Sequence, residues 1–188
     1  MPSSKPNNAR ALLADFFSAE NLKSILLGVA LALVIRTFII QAYKIPSGSM
    51  RPTLMEGDRL LVSKFLYRFR EPQRGDIIVI RYPEDRKREF IKRLVGSPGD
   101  VIGIRGGRIL VNGRALDGPP FNAFEYSNRG ALGDPNATVT VPPHMLFVLG
   151  DNSSSSRDSR FWGFVPRKDV IGKALLIFWP FTRWRVLR

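Results

Sequence analysis

The run Ser24-Ile25-Leu26-Leu27-Gly28-Val29-Ala30-Leu31-Ala32-Leu33-Val34-Ile35-Arg36-Thr37-Phe38-Ile39-Ile40 most constrains what this chain can become. It is about seventeen residues long, at the short end of what spans a bilayer as a helix. Its apolar side chains go all round a helix, which argues against an amphipathic helix laid on a core. Arg36 interrupts it near one end, where a guanidinium reaches the interface along its apolar stem. The segment 24–40 reads as a transmembrane signal-anchor helix behind a polar cytoplasmic segment, 1–23. A cleaved signal peptide and a buried core helix are the alternatives. The first lacks a small-x-small cleavage site, because Ile40-Gln41-Ala42 puts Ile where a small residue is needed. Lys5, Arg10 and Lys23 precede the span and favour a cytoplasmic N-terminus, while Lys44 and Arg51 after it blur that bias. Long downstream domains translocate largely regardless of charge, so the remainder, 41–188, is expected outside the cytoplasm.

That remainder has a β pattern. Gly57-Asp58, Gly75-Asp76 and Gly99-Asp100 punctuate it, and each precedes a short apolar run: Arg59 to Val62, Ile77 to Ile80, Val101 to Ile104. Runs of this length bounded by Gly, Pro and Asp read as strands. Gly106-Gly107 separates Val101–Arg105 from Arg108–Asn112 and permits a tight hairpin turn. Met145 to Leu149 and Val170 to Trp179 are further strands, and 116–143, rich in Gly, Pro and Asn, is an irregular excursion. The expected fold is mainly β, an antiparallel sandwich or partly closed barrel carrying the chemistry, with one N-terminal transmembrane helix.

Composition removes several kinds of chemistry. There is no cysteine, so disulfides, zinc–thiolate sites and a thiol nucleophile are excluded. A zinc site needs two or three imidazoles or thiolates, and His144 is the one histidine, so neither a metal nor another cofactor is expected. The net charge of +13 fits nucleic acid or anionic lipid head groups. The cations are scattered among strand-like runs without a long basic block, and on a tethered domain this favours membrane phospholipid over nucleic acid. A solvated basic surface with no specific partner is the plain alternative.

Ile45-Pro46-Ser47-Gly48-Ser49-Met50-Arg51-Pro52-Thr53-Leu54 follows the apolar run by only a few residues. Pro, Gly and Ser in succession form a turn that can present a hydroxyl flanked by backbone N–H groups. A serine hydroxyl is a weak nucleophile until a base removes its proton. His144, within Val141-Pro142-Pro143-His144-Met145, reads as a solvated turn rather than that base. No Gly-x-Ser-x-Gly elbow and no Ser-x-x-Lys motif occurs. A lysine base remains, and its pKa must fall from ~10.4 to about 7–8, a shift of roughly 3–4 kcal/mol. Desolvation among apolar neighbours supplies such a shift. As a strand, Phe90-Ile91-Lys92-Arg93-Leu94-Val95 puts Phe90, Lys92 and Leu94 on one face. Lys92 is therefore the candidate base. Arg93 faces the other way, and its guanidinium does not deprotonate usefully. A strand lysine that extends its amine to water is the ordinary alternative.

Three blocks in order change that balance: Ser47-Gly48-Ser49-Met50-x-Pro52-Thr53-Leu54, Lys92-Arg93-Leu94-Val95-Gly96-x-Pro98-Gly99-Asp100, and Gly150-Asp151-Asn152 through Asp158-Ser159-Arg160-Phe161-Trp162-Gly163. Together with the preceding anchor they closely resemble bacterial type I signal peptidase (leader peptidase) over residues 24–180. The resemblance implies a Ser-Lys dyad endopeptidase of the bacterial cytoplasmic membrane that removes signal peptides from exported preproteins. It makes Ser49 the nucleophile and Lys92 the general base. The Ser49 N–H and the Ser47 hydroxyl would form the oxyanion hole. Ser156 matches the serine that hydrogen-bonds and orients the lysine. Asp151 and Asp158 match acidic residues of the site loop, paired with Arg93 and Arg160. Small residues, typically Ala, would be required at the first and third positions before the scissile bond, with Tyr43, Ile45, Pro46 and Ile91 walling shallow pockets for them. Ser153-Ser154-Ser155 departs from the Arg or Asn with Asp that many relatives carry after Gly-Asp-Asn.

A self-cleaving regulator of the phage-repressor type also uses Ser and Lys, but the segment before Ser24 is too short for its DNA-binding domain. A basic membrane-surface adaptor is the non-enzymatic alternative. The segment Trp179-Pro180-Phe181-Thr182-Arg183-Trp184 mixes aromatics and cations as interfacial segments do, or forms a buried last strand.

Overall fold

The computed structural model describes residues 19–34, 36, 39–134 and 137–187. The chain divides into two units between Ile39 and Ile40. In the first, helix α1 runs Ala19–Val34, 16 residues. Its large apolar side chains, among them Leu26, Leu27, Leu31 and Leu33, are exposed. At ~1.5 Å per residue a helix of this length falls short of a ~30 Å hydrocarbon layer. Among the described residues no helix is long and apolar enough to cross a membrane. The expected span thus coincides with helix over 24–34, its residues 35, 37 and 38 lie outside the described residues, and Ile40 opens a strand.

The second unit consists of β1 (Ile40–Lys44), β2 (Arg59–Ser63), β3 (Ile77–Tyr82), β4 (Asp85–Gly96), β5 (Val101–Arg105), β6 (Arg108–Val111), β7 (Arg114–Ala115), β8 (Val139–Thr140), β9 (Met145–Leu149), β10 (Val165–Pro166), β11 (Val170–Trp179) and β12 (Arg185–Val186). One sheet has the order β1-β2-β11-β3-β4-β9-β10, with β12 on the far end of β11, and a smaller one has the order β7-β6-β5-β8. All pairings are antiparallel. The expectation of a partly closed barrel is corrected here: the large sheet has β1 and β10 as separate edges, so neither sheet closes. The antiparallel, mainly β character stands.

The large sheet is covered on both sides, which explains the unbroken run Ile77-Ile78-Val79-Ile80 of its central β3. Ile77 and Val79 join Met50, Leu54, Leu60 and Ile177 in one core, while Ile78 and Ile80 join Leu94, Val148 and Val165 in another. A third core lies where Val95, Phe147 and Leu149 of the large sheet meet Ile102, Ile104 and Ile109 of the small one. The excursion 116–143 contributes the buried Phe121, Tyr126 and Val141 to that third core.

The Gly-Asp pairs have one structural cause. Each closes a turn in which the Asp N–H reaches the carbonyl three residues back: Asp58 to Met55, Asp76 to Gln73, Asp100 to Ser97. The glycine takes a positive φ of 90°, 95° and 87° respectively, which a side chain would oppose. The Asp carboxylate then accepts from the N–H three residues back, at 2.8, 3.0 and 2.8 Å. At the end of the chain, Phe181–Arg183 forms a short 3-10 turn with Trp179, Phe181 and Trp184 exposed. The segment is not a buried strand.

Candidate active site

Ser49 is presented by a 3-10 turn, Gly48–Met50. The turn is anchored by what it buries: Met50 and Leu54 drop into the first core, with Ile45 beside them. The hydrogen bonds Arg51 N to Gly48 O (3.1 Å) and Leu54 N to Met50 O (2.8 Å) wind the chain tightly after the serine. Ser47 stands before the turn in extended conformation, and its side chain caps no N–H. Both serines border a cleft of about 650 Å3.

Lys92 enters that cleft from β4. Register pairs it with Ile78 of β3, so the strand delivers it between the apolar side chains of its own face. It is 4% exposed. Its Nζ lies 2.7 Å from Ser49 Oγ and 5.6 Å from the centre of the Phe90 ring. Burial drives its pKa down to about 8; the Asp158 and Asp151 carboxylates oppose that fall and the Arg160 guanidinium assists it. At 2.7 Å the contact serves either protonation state, with an ammonium donating to the hydroxyl or a neutral amine accepting its proton.

The next strand supports this pair. β9 runs beside β4 with Leu149 opposite Arg93, which brings Gly150-Asp151-Asn152 up behind the serine turn. Arg93 and Asp151 form a fully buried bidentate pair at 2.7 and 2.6 Å, and Arg93 also donates to Gly75 O at 2.7 Å. Asp158 caps the short helix α2 (Ser159–Trp162) and accepts from Gly150 N at 3.0 Å. Its two oxygens each take a nitrogen of Arg160 at 2.8 Å, with both side chains fully buried. Ser156 is buried close by. Its hydroxyl makes no hydrogen bond among the described residues, so the bond to Lys92 that the resemblance implies is not formed in this structure.

Tyr43, Ile45, Pro46 and Ile91 all line the cleft that holds Ser49 and Lys92. Burial first, and the Glu89 carboxylate second, raise the pKa of the Tyr43 phenol, which stays protonated. His144 lies in the turn before β9 with a positive φ of 59° and is not among the cleft residues. Among the described residues no group of three or more His, Cys, Asp or Glu could hold a metal ion.

Three residues of the site escape a reading of motifs. Asn152 donates its side-chain amide to Gly48 O at 3.0 Å and its backbone N–H to Ser49 O at 3.1 Å, so it clamps the serine turn from behind. Gly150 is packed so closely that a Cβ there would collide with Ser156 Oγ and Ser49 O. Ser153, the first of the unusual serines, accepts from Arg160 Nη1 at 2.6 Å and from Ser127 N at 2.8 Å, tying the site loop to the excursion. The signal available for the first two was their place in Gly150-Asp151-Asn152, and for Ser153 its place in the Ser153-Ser154-Ser155 departure, but neither pattern gives the contacts these residues make.

The chain is similar to known proteins over most of its length. The family described as signal peptidase, peptidase S26, matches residues 18–179. A signal peptidase I of Leptolyngbya laminosa is 44% identical over 177 residues, covering 90% of this chain and 84% of the relative. A probable signal peptidase I-2 of Synechocystis sp. is 42% identical over 171 residues, covering 86% of this chain and 73% of the relative. A crystal structure of a signal peptidase I from Enterococcus faecalis V583 is 34% identical, covers 55% of this chain and 97% of its own, and superposes with a TM-score of 0.45.

Proposed function

Because the chain belongs to the signal peptidase family, peptidase S26, we propose that this hydrolase cleaves signal peptides from exported preproteins with Ser49 as nucleophile and Lys92 as general base. The observation that carries the reading is the 2.7 Å contact between Lys92 Nζ and Ser49 Oγ inside an apolar niche. The neutral Lys92 amine takes the Ser49 proton as Oγ attacks the scissile carbonyl carbon. The resulting ammonium then passes the proton to the leaving amide nitrogen, which becomes the new N-terminus. Water, deprotonated by the same amine, hydrolyses the acyl-serine and restores Ser49. Lys92 serves as both acid and base, which requires a pKa near the working pH.

The oxyanion donors are the Ser49 N–H and the Ser47 hydroxyl. Ser49 occupies the first turn of its 3-10 helix, where N–H groups lack an intrahelical acceptor. Donors aimed at developing charge contribute about 3 kcal/mol each. Arg93 with Asp151, and Arg160 with Asp158, keep the β9 loop pressed against the serine turn, and the buried, unpartnered Ser156 hydroxyl is the group available to orient Lys92.

Two open strand edges favour an extended substrate. Among the described residues β1 pairs only with β2, and β9 pairs with β4 only at Arg93, Leu94 and Gly96, leaving the earlier half of β4 unpaired on that side. Both edges border the cleft. A peptide strand laid there gains main-chain hydrogen bonds, and alternation turns its first and third residues before the scissile bond to the enzyme. Tyr43, Ile45, Pro46 and Ile91 line the cleft there and would wall the pockets for small side chains such as Ala. The apolar segment from Ser24 up to the start of β1 acts as the membrane anchor, with 1–23 cytoplasmic and 41–188 on the outer side, where phospholipid is its partner; the exposed apolar side chains of α1 support this, since such a surface needs an apolar surrounding.

The test is processing of a preprotein ending its signal in Ala-x-Ala, by the wild type and by Ser49→Ala and Lys92→Ala variants. The wild type cleaves after the second Ala, and each variant loses at least ~10^3-fold in kcat/KM while remaining folded. Processing at the wild-type rate by either folded variant refutes the assignment.

A further inference from the structure

The chemistry just described uses Lys92 but leaves a second cation on the same strand face without a task. Alternation along β4 puts Arg88, Phe90 and Lys92 on one side. The Phe90 ring centre lies 5.6 Å from Lys92 Nζ and 5.3 Å from Arg88 Cζ. Arg88 also sits 5.7 Å over Tyr82, and the two rings stack at 4.5 Å. The guanidinium is therefore held on an aromatic platform in the wall of the active-site cleft. Stacking engages its face and leaves its N–H edge for an acceptor.

The nearby carboxylates are engaged elsewhere. Glu84 accepts from the Tyr82 hydroxyl and pairs with Arg157 at 3.9 Å. Glu89 falls on the alternate side, beside Tyr43. Asp85 accepts from Lys87 N at 3.1 Å, and Asp169 pairs with Arg86. Among the described residues the Arg88 side chain makes no hydrogen bond and no ion pair; it stacks on the two rings. The cleft lining is positive: Lys44, Arg88 and Arg157 border it with one carboxylate, Glu89, even with Lys92 neutral and with Arg157 paired to Glu84 outside the lining.

Arg88 precedes Lys92 by four residues, about 13 Å along a strand at ~3.3 Å per residue. A substrate strand running along β4 from the scissile bond reaches it with its fourth or fifth residue. We propose that Arg88 is a specificity-determining residue, selecting acidic or neutral side chains and rejecting Lys and Arg at the fourth or fifth position before the scissile bond. This rests on the signal-peptide reading of the cleft. The guanidinium fork receives a carboxylate side-on, and like charge is repelled.

The full-length enzyme in a neutral detergent tests this with peptides that share an Ala-x-Ala site and carry Asp, Gln or Lys at those positions. The wild type prefers Asp to Lys by roughly tenfold in kcat/KM at low salt, and the preference shrinks in high salt. Arg88→Gln brings the Asp-to-Lys ratio to within about twofold, and Arg88→Glu inverts it. Equal cleavage of all three peptides by the wild type, or an undiminished preference in Arg88→Gln, overturns the proposal while leaving the peptidase reading intact. An Arg88→Gln effect that needs added vesicles of anionic lipid assigns the cation to head groups and also overturns it. Failure to cleave any of the peptides refutes the reading on which it rests.

Discussion

Lys92 Nζ and Ser49 Oγ stand 2.7 Å apart although forty-three residues separate them in the chain. The serine rides on a turn pinned by Met50 and Leu54, and the lysine on a strand whose neighbours strip it of water. Position and pKa thus come from one arrangement, because the packing that brings the amine to the hydroxyl also disfavours its charge.

That arrangement has a stability cost with a definite sign. The folded Lys92 pKa, about 8, lies below the unfolded value of ~10.4. Between those values the unfolded chain binds more protons, so stability from this group rises with pH, and the gain is lost as pH falls through about 8. The difference is about 3 kcal/mol. Lys92→Met is expected to unfold at higher denaturant than the wild type at pH 7, and the gap is expected to narrow towards pH 10. Chemical denaturation at both pH values checks this.

Asp158 tunes the same amine from a distance. Its carboxylate is the largest influence opposing the fall in the Lys92 pKa, and Arg160, its buried partner, pushes the other way. Asp158→Asn removes the first and leaves the second. The acid limb of the activity profile is expected to move to lower pH, and stability to drop by about 3 kcal/mol or more as Arg160 loses its counter-charge. A limb that moves to higher pH contradicts this account of the electrostatics.

The clamp behind the serine predicts a loss in turnover rather than in binding. Asn152→Ala frees the Gly48 carbonyl and loosens the turn, with an expected fall in kcat of about 10- to 100-fold and little change in KM. Gly150→Ala forces a Cβ against Ser156 Oγ and Ser49 O and is expected to be worse in both activity and stability. Steady-state kinetics and thermal melts of the two variants separate these effects.

The strands bounded by Gly and Asp were legible because a turn with a positive-φ glycine and a capping carboxylate is written in consecutive residues. Met145–Leu149 and Val170–Trp179 were legible as apolar runs. β1 was not, since its first residue, Ile40, closes the apolar run of the anchor and its pairing with β2 is what makes Ile40–Lys44 a strand. The first half of β4, Asp85–Glu89, is charged and exposed, and it is a strand because it folds back on β3. Lys92 was found by the alternation of Phe90, Lys92 and Leu94, but its nearness to Ser49 depends on packing between the serine turn and β4. Asn152 and Ser153 act through partners 104 and 26 residues away, and no local pattern encodes such contacts.

The most direct measurement is the pH dependence of kcat/KM for a preprotein with an Ala-x-Ala site, taken from pH 6 to 10 on wild-type enzyme. A neutral Lys92 as base predicts a rate that climbs tenfold per pH unit and levels off near 8, where the buried amine has lost its proton. A rate that stays flat across that range would contradict the central claim.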